Sequence, residues 1–155
     1  LVGSEMCIET ADDEIENWLN EGKDSSADSF DELLKHLAKV HPSKYGLLLD
    51  GLERVGLFGV HVLDDQAAAL RFVSFIDRAY EMQVLVRGSG IDLTKVFRAD
   101  HVAGGYKKKY QRAISRLGAL GYSRDLAQIR QVESAKHLHL RNISIHFSKP
   151  VQATI

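Results

Sequence analysis

The sequence predicts an α/β domain: a small, mainly parallel sheet with a central βαβ unit flanked by helices. Two short apolar runs, Leu57–Leu63 and Gln83–Arg87, have the composition of buried strands, and the chain between them has the periodicity of a helix. The joints between these segments are short. Because a strand–helix–strand unit of this kind is nearly always right-handed with parallel strands, we predict a right-handed βαβ unit over residues 57–90.

The predicted central helix carries its apolar residues at the spacing of one helix face, namely Ala69, Phe72, Val73, Ile76 and Tyr80. Asp64 and Asp65 stand just before it. Either aspartate can cap the first turn, since a short carboxylate accepts the unbonded N–H groups there and complements the positive end of the helix dipole. We therefore expect the apolar stripe to face the core.

The N-terminal third predicts two helices separated by a loop. Glu9–Leu19 forms a short amphipathic helix with Trp18 as a core or interface anchor, and residues 20–28, which include Gly22 and two serines, read as a loop or flexible linker. Ser29 and Glu32 have the spacing of a capping box. The helix that follows has an apolar stripe formed by Phe30, Leu33, Leu34 and Leu37.

A basic helix is predicted over residues 104–120. Its inner stripe is Tyr106, Tyr110, Ala113, Ile114 and Leu117, and Gly118 or Gly121 should end it. Its outer face carries Lys107, Lys108, Lys109, Arg112 and Arg116. Such a face is either simply solvated or meets phosphate, an acid or a partner subunit. Aromatic residues do not interleave with the basic ones, so nucleic acid is not an expected partner.

Beyond residue 120 the sequence predicts one more helix, capped by Ser123, and alternating strands between Leu138 and Phe147. His137, His139 and His146 fall among these strands. Three or four converging ligands are needed for a structural metal site, and no cysteine accompanies these histidines. We predict no metal site.

The composition fits a single α/β domain over residues 1–155, and the one cysteine, Cys7, excludes an internal disulfide and suits a reducing compartment. No apolar run is long enough to span a bilayer, so a cytoplasmic location is expected. The net charge of −1 hides an asymmetry. Residues 1–32 hold eleven acids against Lys23 alone, whereas residues 87–149 hold thirteen lysines and arginines against four acids. These parts either fold against each other or against a neighbouring domain, or the basic part docks an acidic partner.

An apolar strand ending in acids, a helix, and a strand ending in a small polar residue also occur in P-loop nucleotide-binding domains. On that interpretation Asp64 and Asp65 bind magnesium and Ser89 senses a phosphate. The alternative makes the three residues a helix cap and a turn. The sequence has no G-x-x-x-x-G-K-S/T segment, and hence no loop of N–H groups to hold phosphates, so we do not expect this chain to hydrolyse ATP alone.

Several segments together resemble the C-terminal part of the ZapE family, the AFG-one-like AAA+ ATPases. A phenylalanine, Phe30, leads a helix, Pro42 stands three residues before Tyr45, and Gly59–Val60 follow at the family's spacing. The family pattern D-x-x-A-x-R-F-x-x-L-V-D-x-x-Y is matched by Asp65, Ala68, Arg71, Phe72, Phe75, Ile76, Asp77 and Tyr80. The family's F-Q-R-T-x-S-R-L is matched by residues 110–117. The likeness covers residues 30–120, which leaves 1–29 as an acidic segment and 121–155 as an unmatched extension.

This resemblance implies a larger parent protein that binds ATP and magnesium through motifs upstream of Leu1. The chain would be its accessory C-terminal domain, itself binding no cofactor and carrying no catalytic residue. Its partners would be the N-terminal ATPase domain, neighbouring subunits and a division-ring protein. Arg112 and Arg116 are the candidates for contact with ATP or a neighbouring subunit, because a guanidinium keeps its charge. They could equally be ion-pair residues that fix the basic helix to the acidic N-terminal part.

Two other hypotheses stay open. The chain could be a free-standing interaction module that docks through the basic helix 104–120. It could also be a small enzyme that uses His61, Asp64 and Asp65. A Walker A motif upstream in the same reading frame would distinguish the accessory domain from both.

Overall fold

The computed structural model describes residues 10–122, which form a three-stranded parallel sheet covered by helices. The strands are β1 (Ser25–Ser29), β2 (Arg54–Val60) and β3 (Leu85–Gly90), in the sheet order β1-β2-β3. The helices are α1 (Asp12–Asn20), α2 (Phe30–Lys39), α3 (Tyr45–Leu49), α4 (Gln66–Glu81), α5 (Ala99–Val102) and α6 (Lys107–Tyr122). Short 3₁₀ turns lie at Pro42–Lys44 and Leu93–Lys95. The predicted α/β class with a parallel sheet is confirmed.

The central unit β2–α4–β3 has the predicted order, with a correction at the edge of the helix stripe. Ala69, Phe72, Val73 and Ile76 are buried as expected. Tyr80, however, is 42% exposed, so its assignment to the core was wrong. The guanidinium of Arg116 lies 4.8 Å above its ring. A tyrosine at the margin of an apolar face can thus pack against a cation from the next helix instead of entering the core.

Both central strands are displaced from their predicted bounds. β2 begins at Arg54 and ends before His61, and β3 extends through Gly88, Ser89 and Gly90, which were predicted to close the strand as a turn. Gly90 has φ +94°, and a Cβ there would lie 2.6 Å from the carbonyl oxygen of Val60. Only glycine allows β3 to pass this close to the irregular end of β2.

The prediction of a loop over residues 20–28 was also wrong in its second half, because Ser25–Ser29 form strand β1 at the edge of the sheet. Ser25 lies opposite Arg54 and Ser29 opposite Phe58, in parallel register. The strand contains no β-branched residue, so composition gave no sign of it. Ser29 then caps α2 as predicted, its hydroxyl accepting the N–H of Glu32 at 3.1 Å.

Helix α1 covers one face of the sheet with its buried residues Ile15, Trp18 and Leu19, which confirms Trp18 as a core residue. A Cβ on Gly56 of β2 would lie 2.7 Å from Leu19 and 2.8 Å from Ile15, so the helix rests directly on the backbone of the strand. Side chains alternate along a strand, so Val55 and Leu57 point to the opposite face. Helices α2, α4 and α6, which pack on one another and on the strands, cover that face.

Helix α6 runs from Lys107 to Tyr122 and differs from its prediction at both ends. Tyr106, expected on the inner stripe, is 43% exposed, whereas Tyr110, Ala113 and Leu117 are buried as expected. The helix also continues through Gly118 and Gly121. Each glycine costs a helix about 1 kcal/mol relative to alanine, and the burial of Leu117 and Leu120 offsets that cost.

The predicted helix after Ser123, the strands around His137, His139 and His146, and Cys7 lie outside the described residues. Within residues 10–122, no helix combines the length and apolar character that a membrane span requires.

Candidate functional site

The first group of predicted site residues follows the carboxyl end of β2, where open α/β sheets bind their ligands. Asp65 is the N-cap of α4, and its Oδ2 accepts the backbone N–H of Ala68 at 3.0 Å. The short carboxylate thus satisfies one of the donors that every helix start leaves open. This contact gives Asp65 the capping role that the sequence offered as the alternative to magnesium binding.

Asp64, the neighbouring candidate, is largely exposed, and its Oδ1 lies 3.7 Å from Nη1 of Arg98. Arg98 forms a two-pronged contact with Asp100, at 2.9 Å from Nε to Oδ1 and 3.1 Å from Nη2 to Oδ2. This pairing lowers the pKa of the Asp100 carboxyl and raises the pKa of the Arg98 guanidinium. Asp64 and Asp100 therefore share the positive charge of Arg98.

Ser89, predicted as a possible phosphate sensor, is buried in β3. Its hydroxyl accepts the backbone N–H of Gly59 at 3.2 Å. The bond ties the two central strands together at the point where their register shifts between Leu57 and Val60. A buried hydroxyl in this position stabilises the irregular end of the ladder, since the N–H of Gly59 would otherwise lack its strand partner.

His61 binds the first turn of α2 through Asp31. Its Nε2 lies 2.6 Å from Oδ1 of Asp31, its Nδ1 lies 2.9 Å from the carbonyl oxygen of Val62, and its ring meets the edge of Phe30 at 5.2 Å. A carbonyl and an ionised carboxylate both accept, and only an imidazolium donates from both nitrogens. The hydrogen bond to Asp31, with that to Val62, raises the pKa of His61 above its usual value of 6.5.

These contacts bear directly on a magnesium site. Within residues 10–122, no three histidine, cysteine, aspartate or glutamate side chains converge as metal ligands. The helix cap uses one oxygen of Asp65 and the Arg98 contact one oxygen of Asp64, so each carboxylate keeps a second oxygen outside these contacts. With no third ligand beside them in residues 10–122, Asp64 and Asp65 stay predicted candidates, and the enzyme hypothesis built on His61, Asp64 and Asp65 gains no support from this arrangement.

The second group lies on the adjoining surfaces of α4 and α6, where two arginines share one carboxylate. Arg112 donates to Asp77 from Nη2 at 2.9 Å and from Nε at 3.4 Å. Arg116 donates from Nη1 to Oδ1 of Asp77 at 2.7 Å, the same oxygen that Nε of Arg112 contacts. The pair therefore fixes α6 to α4, and not to the acidic N-terminal part as one alternative held. One positive charge remains after this pairing.

The two arginines differ in how firmly they are held. The Arg116 side chain is 26% exposed and is fixed by Asp77 on one side and the ring of Tyr80 on the other. The Arg112 side chain is 45% exposed, and its hydrogen bond to Asp77 raises the pKa of its guanidinium. Arg112 is the more accessible cation of the two.

The two groups cannot act on one phosphate within a single chain. Asp65 caps α4 and Asp77 lies twelve residues further along the same helix, so their backbones are separated by roughly 18 Å at 1.5 Å per residue. An arginine side chain bound to Asp77 does not reach a ligand held at Asp65. The sheet end and the α4–α6 surface are thus separate places on the molecule.

Sequence reasoning did not identify three residues that form the contacts described above, namely Asp77, Asp31 and Arg98. Asp77 stands in the sequence pattern shared with the resembled family, three residues before Tyr80, and that position was the available signal for it. Asp31 and Arg98 carried no such signal. Their roles depend on distant parts of the chain meeting at the end of β2, which periodicity does not report.

A parallel three-stranded sheet with helices on both faces defines a small α/β domain. The model of the AFG1-like ATPase family matches residues 11–128, so the chain belongs to the AFG1-like ATPase family. This confirms the family inferred from the motifs. Neither the comparison with curated proteins nor that with solved structures gives a match.

Proposed function

We propose that this domain is the accessory C-terminal part of a ZapE-like P-loop ATPase linked to cell division. The family match over residues 11–128 is the observation that carries the proposal. ATP and magnesium then belong to the parent protein, because no G-x-x-x-x-G-K-S/T segment occurs in this sequence. The expected partners are the N-terminal ATPase domain, neighbouring subunits and a division-ring protein, in the cytoplasm.

Arg112 is the residue that we propose to contact the nucleotide or an acidic group of a neighbouring subunit. It shares Asp77 with Arg116, so the α4–α6 surface carries an excess positive charge. Its Nε contact is long, at 3.4 Å, and its side chain is exposed. Arg116 serves as a positioning residue, because the Tyr80 ring and Asp77 hold it in place and leave Arg112 as the group that can turn outward.

ATP turnover by the full-length protein tests this assignment. Arg112→Ala should lower turnover by about a thousandfold if the guanidinium acts on the transferred phosphate across an interface. Arg112→Lys should recover little, because an ammonium does not reproduce the planar fork. Lys108→Ala is the matched control, since Lys108 is an exposed base of the same helix and should leave turnover unchanged.

The same substitution should barely alter folding, which keeps the two effects apart. Arg112→Ala in the 155-residue chain should change the free energy of unfolding by under about 0.5 kcal/mol. Wild-type turnover in the Arg112→Ala protein would remove this residue from catalysis. The family assignment would stand, and the domain would then act as a scaffold.

A calorimetric titration of the 155-residue chain with Mg-ATP tests the division of labour between the domains. We expect no heat of specific binding, because the phosphate-binding loop belongs to the parent protein. A micromolar dissociation constant would contradict the accessory-domain proposal. ADP and ATP should behave alike in this titration.

A second candidate function is a free-standing module that docks an acidic partner through residues 104–120. Three exposed lysines, Lys107, Lys108 and Lys109, favour it, together with the exposed ring of Tyr106, which lies 5.5 Å from the Nζ of Lys109. Here Lys108→Ala would weaken partner binding while turnover of any parent ATPase stayed unchanged. The lysine and arginine substitutions therefore give opposite results under the two functions.

A further inference from the structure

We propose that the outer edge of β1 binds an extended basic peptide, which adds to the sheet as a fourth strand. β1 is a terminal strand of the β1-β2-β3 sheet, and within residues 10–122 no strand pairs with its outer side. Ser26 through Ser29 are exposed. Proteins recognise extended peptides at such edges through main-chain hydrogen bonds, with alternate side chains giving specificity.

The bonding pattern shows which groups of β1 face outward. The carbonyl oxygen of Asp24 accepts the N–H of Glu53 at 2.7 Å and that of Arg54 at 3.3 Å, so the backbone at Asp24 faces β2. In a parallel pair the backbone groups of successive residues point to alternate sides. The N–H and C=O groups of Ser25 and Ala27 therefore point away from β2, toward an added strand. Ser29 differs, because its N–H bonds the side chain of Asp28.

A cleft beside this edge gives the added strand a place for its side chains. Its volume is about 430 Å³, and it opens between α1 and the first two strands. Its lining mixes apolar and polar residues, namely Glu16, Leu19, Asn20, Ser25, Ser26, Ala27 and Phe58. Because every second side chain of a strand points to the same face, one or two apolar residues of the peptide would enter the cleft.

The charge around the edge determines the kind of peptide. Residues 10–32 contain nine acids and one base, Lys23, and the first turn of α1 presents Asp12, Asp13 and Glu14. Glu16 itself lines the cleft. This surface attracts a segment in which lysines alternate with apolar residues, and it repels an acidic peptide or a nucleic acid.

The probe is a fluorescein-labelled peptide of alternating lysine and valine, about eight residues long to match an ordinary strand. Anisotropy titration with the full 155-residue chain should give saturable binding that weakens as salt is raised. Two peptides serve as controls: one with glutamate in place of lysine, and one with N-methyl groups on alternate backbone nitrogens. Both should bind at least about tenfold more weakly, the first through charge and the second through lost hydrogen bonds.

Two variants of the chain locate the peptide. Ala27→Pro removes an outward N–H without touching the bonds to β2, and Glu16→Lys reverses the charge of the cleft; each should weaken binding about tenfold. Asp50→Lys makes the same charge change at an exposed residue after α3 and should have no such effect. If circular dichroism shows that Ala27→Pro does not fold, Glu16→Lys and peptide-induced shifts of the Ser25 and Ala27 amide signals decide instead.

Three results would overturn the proposal. The first is no saturable binding of the lysine–valine peptide. The second is equal binding of the glutamate peptide, or affinity that neither Ala27→Pro nor Glu16→Lys alters. The third is a concentration-dependent dimer in light scattering that Ala27→Pro abolishes while the peptide fails to bind, which would assign the edge to a second copy of the chain.

Discussion

The two ends of α4 carry similar residues but leave different charges. At its start, Asp65 caps the helix, Asp64 faces Arg98, and His61 binds Asp31. Near its end, Asp77 alone receives both Arg112 and Arg116. At the first end, each acid takes part in a local contact, either the helix cap or an ion pair. At the second end, the two guanidiniums of α6 share the one carboxylate of Asp77, which leaves one positive charge unbalanced.

Under the proposed function, this difference assigns structure to one end of the helix and recognition to the other. Acids at the start of α4 complement its dipole, so they stabilise the helix whether or not a ligand is present. Arg112 and Arg116, which contact the helix near its other end, come from α6. They join α4 to α6 through Asp77, and one of their two positive charges is not balanced by that carboxylate. We therefore expect substitutions at the first end to alter stability alone, whereas at the second end a change at Asp77 should alter stability and a change at Arg112 should alter recognition.

The largest effect is expected between the two ends, at Phe72. Its ring is fully buried and meets Phe30 at 5.3 Å and Phe97 at 6.3 Å. Phe72→Ala should lower the free energy of unfolding by about 3–5 kcal/mol, because it leaves a cavity under α4. Urea denaturation measures the change, and a midpoint that hardly moves would contradict the placement of α4 on the sheet.

Asp77→Ala should have the next largest effect. It leaves two guanidiniums, four residues apart on α6, without their shared acceptor, and like charges at that spacing repel. We expect a loss of about 2 kcal/mol in unfolding free energy, given the partial burial of Arg116. Thermal unfolding against Asp50→Ala as the control measures it. If Asp77→Asn restores most of the stability, hydrogen bonding rather than charge joins the helices.

Asp65→Ala tests the first end by removing a cap. We expect a loss of about 1 kcal/mol, and Asp65→Ser should recover most of it, because a serine hydroxyl also accepts the helix N–H. Asp64→Ala is the matched comparison and should change stability by less than about 0.5 kcal/mol. Equal losses at the two aspartates would contradict the assignment of the helix cap to Asp65 alone.

The smallest effect is a pH dependence from His61. Its folded pKa is raised, so its contribution to stability is complete below about 6.5, the ordinary pKa, and is lost as pH rises through the higher folded value. Both partners are at least half exposed, so the loss should stay below about 1 kcal/mol. Stability measured against pH should lose this slope in Asp31→Asn. A slope that survives this substitution belongs to another group.

Sequence periodicity correctly placed the residues whose position depends on burial alone. Phe72, Ile76 and Tyr110 lie in the core because removing apolar surface from water lowers the free energy of the folded chain. Tyr80 and Tyr106 followed the same period yet remain exposed, since each also has a cation beside its ring. The period identifies a helix face, but it does not say which neighbour meets the edge of that face.

The features that the sequence did not reveal depend on the backbone or on distant partners. β1 forms from Ser25-Ser26-Ala27-Asp28-Ser29 because β2 supplies a ladder, and side-chain propensity contributes little. The same holds for Gly88 and Gly90 in β3. Of the candidate site residues, Arg112 and Arg116 were found by motif, but their partner Asp77 became visible only when α4 and α6 were seen in contact.

The parallel register also fixes the order in which the chain can assemble during synthesis. Ser25 pairs with Arg54, and Arg54 pairs with Leu85, so each strand waits for roughly thirty more residues before its neighbour exists. Helix α1 must wait as well, because Ile15 and Leu19 rest on Gly56. A nascent chain that stops before β2 has no surface to cover Trp18. Helix α1 and strand β1 therefore leave the ribosome before the middle strand and complete their packing only after it has emerged.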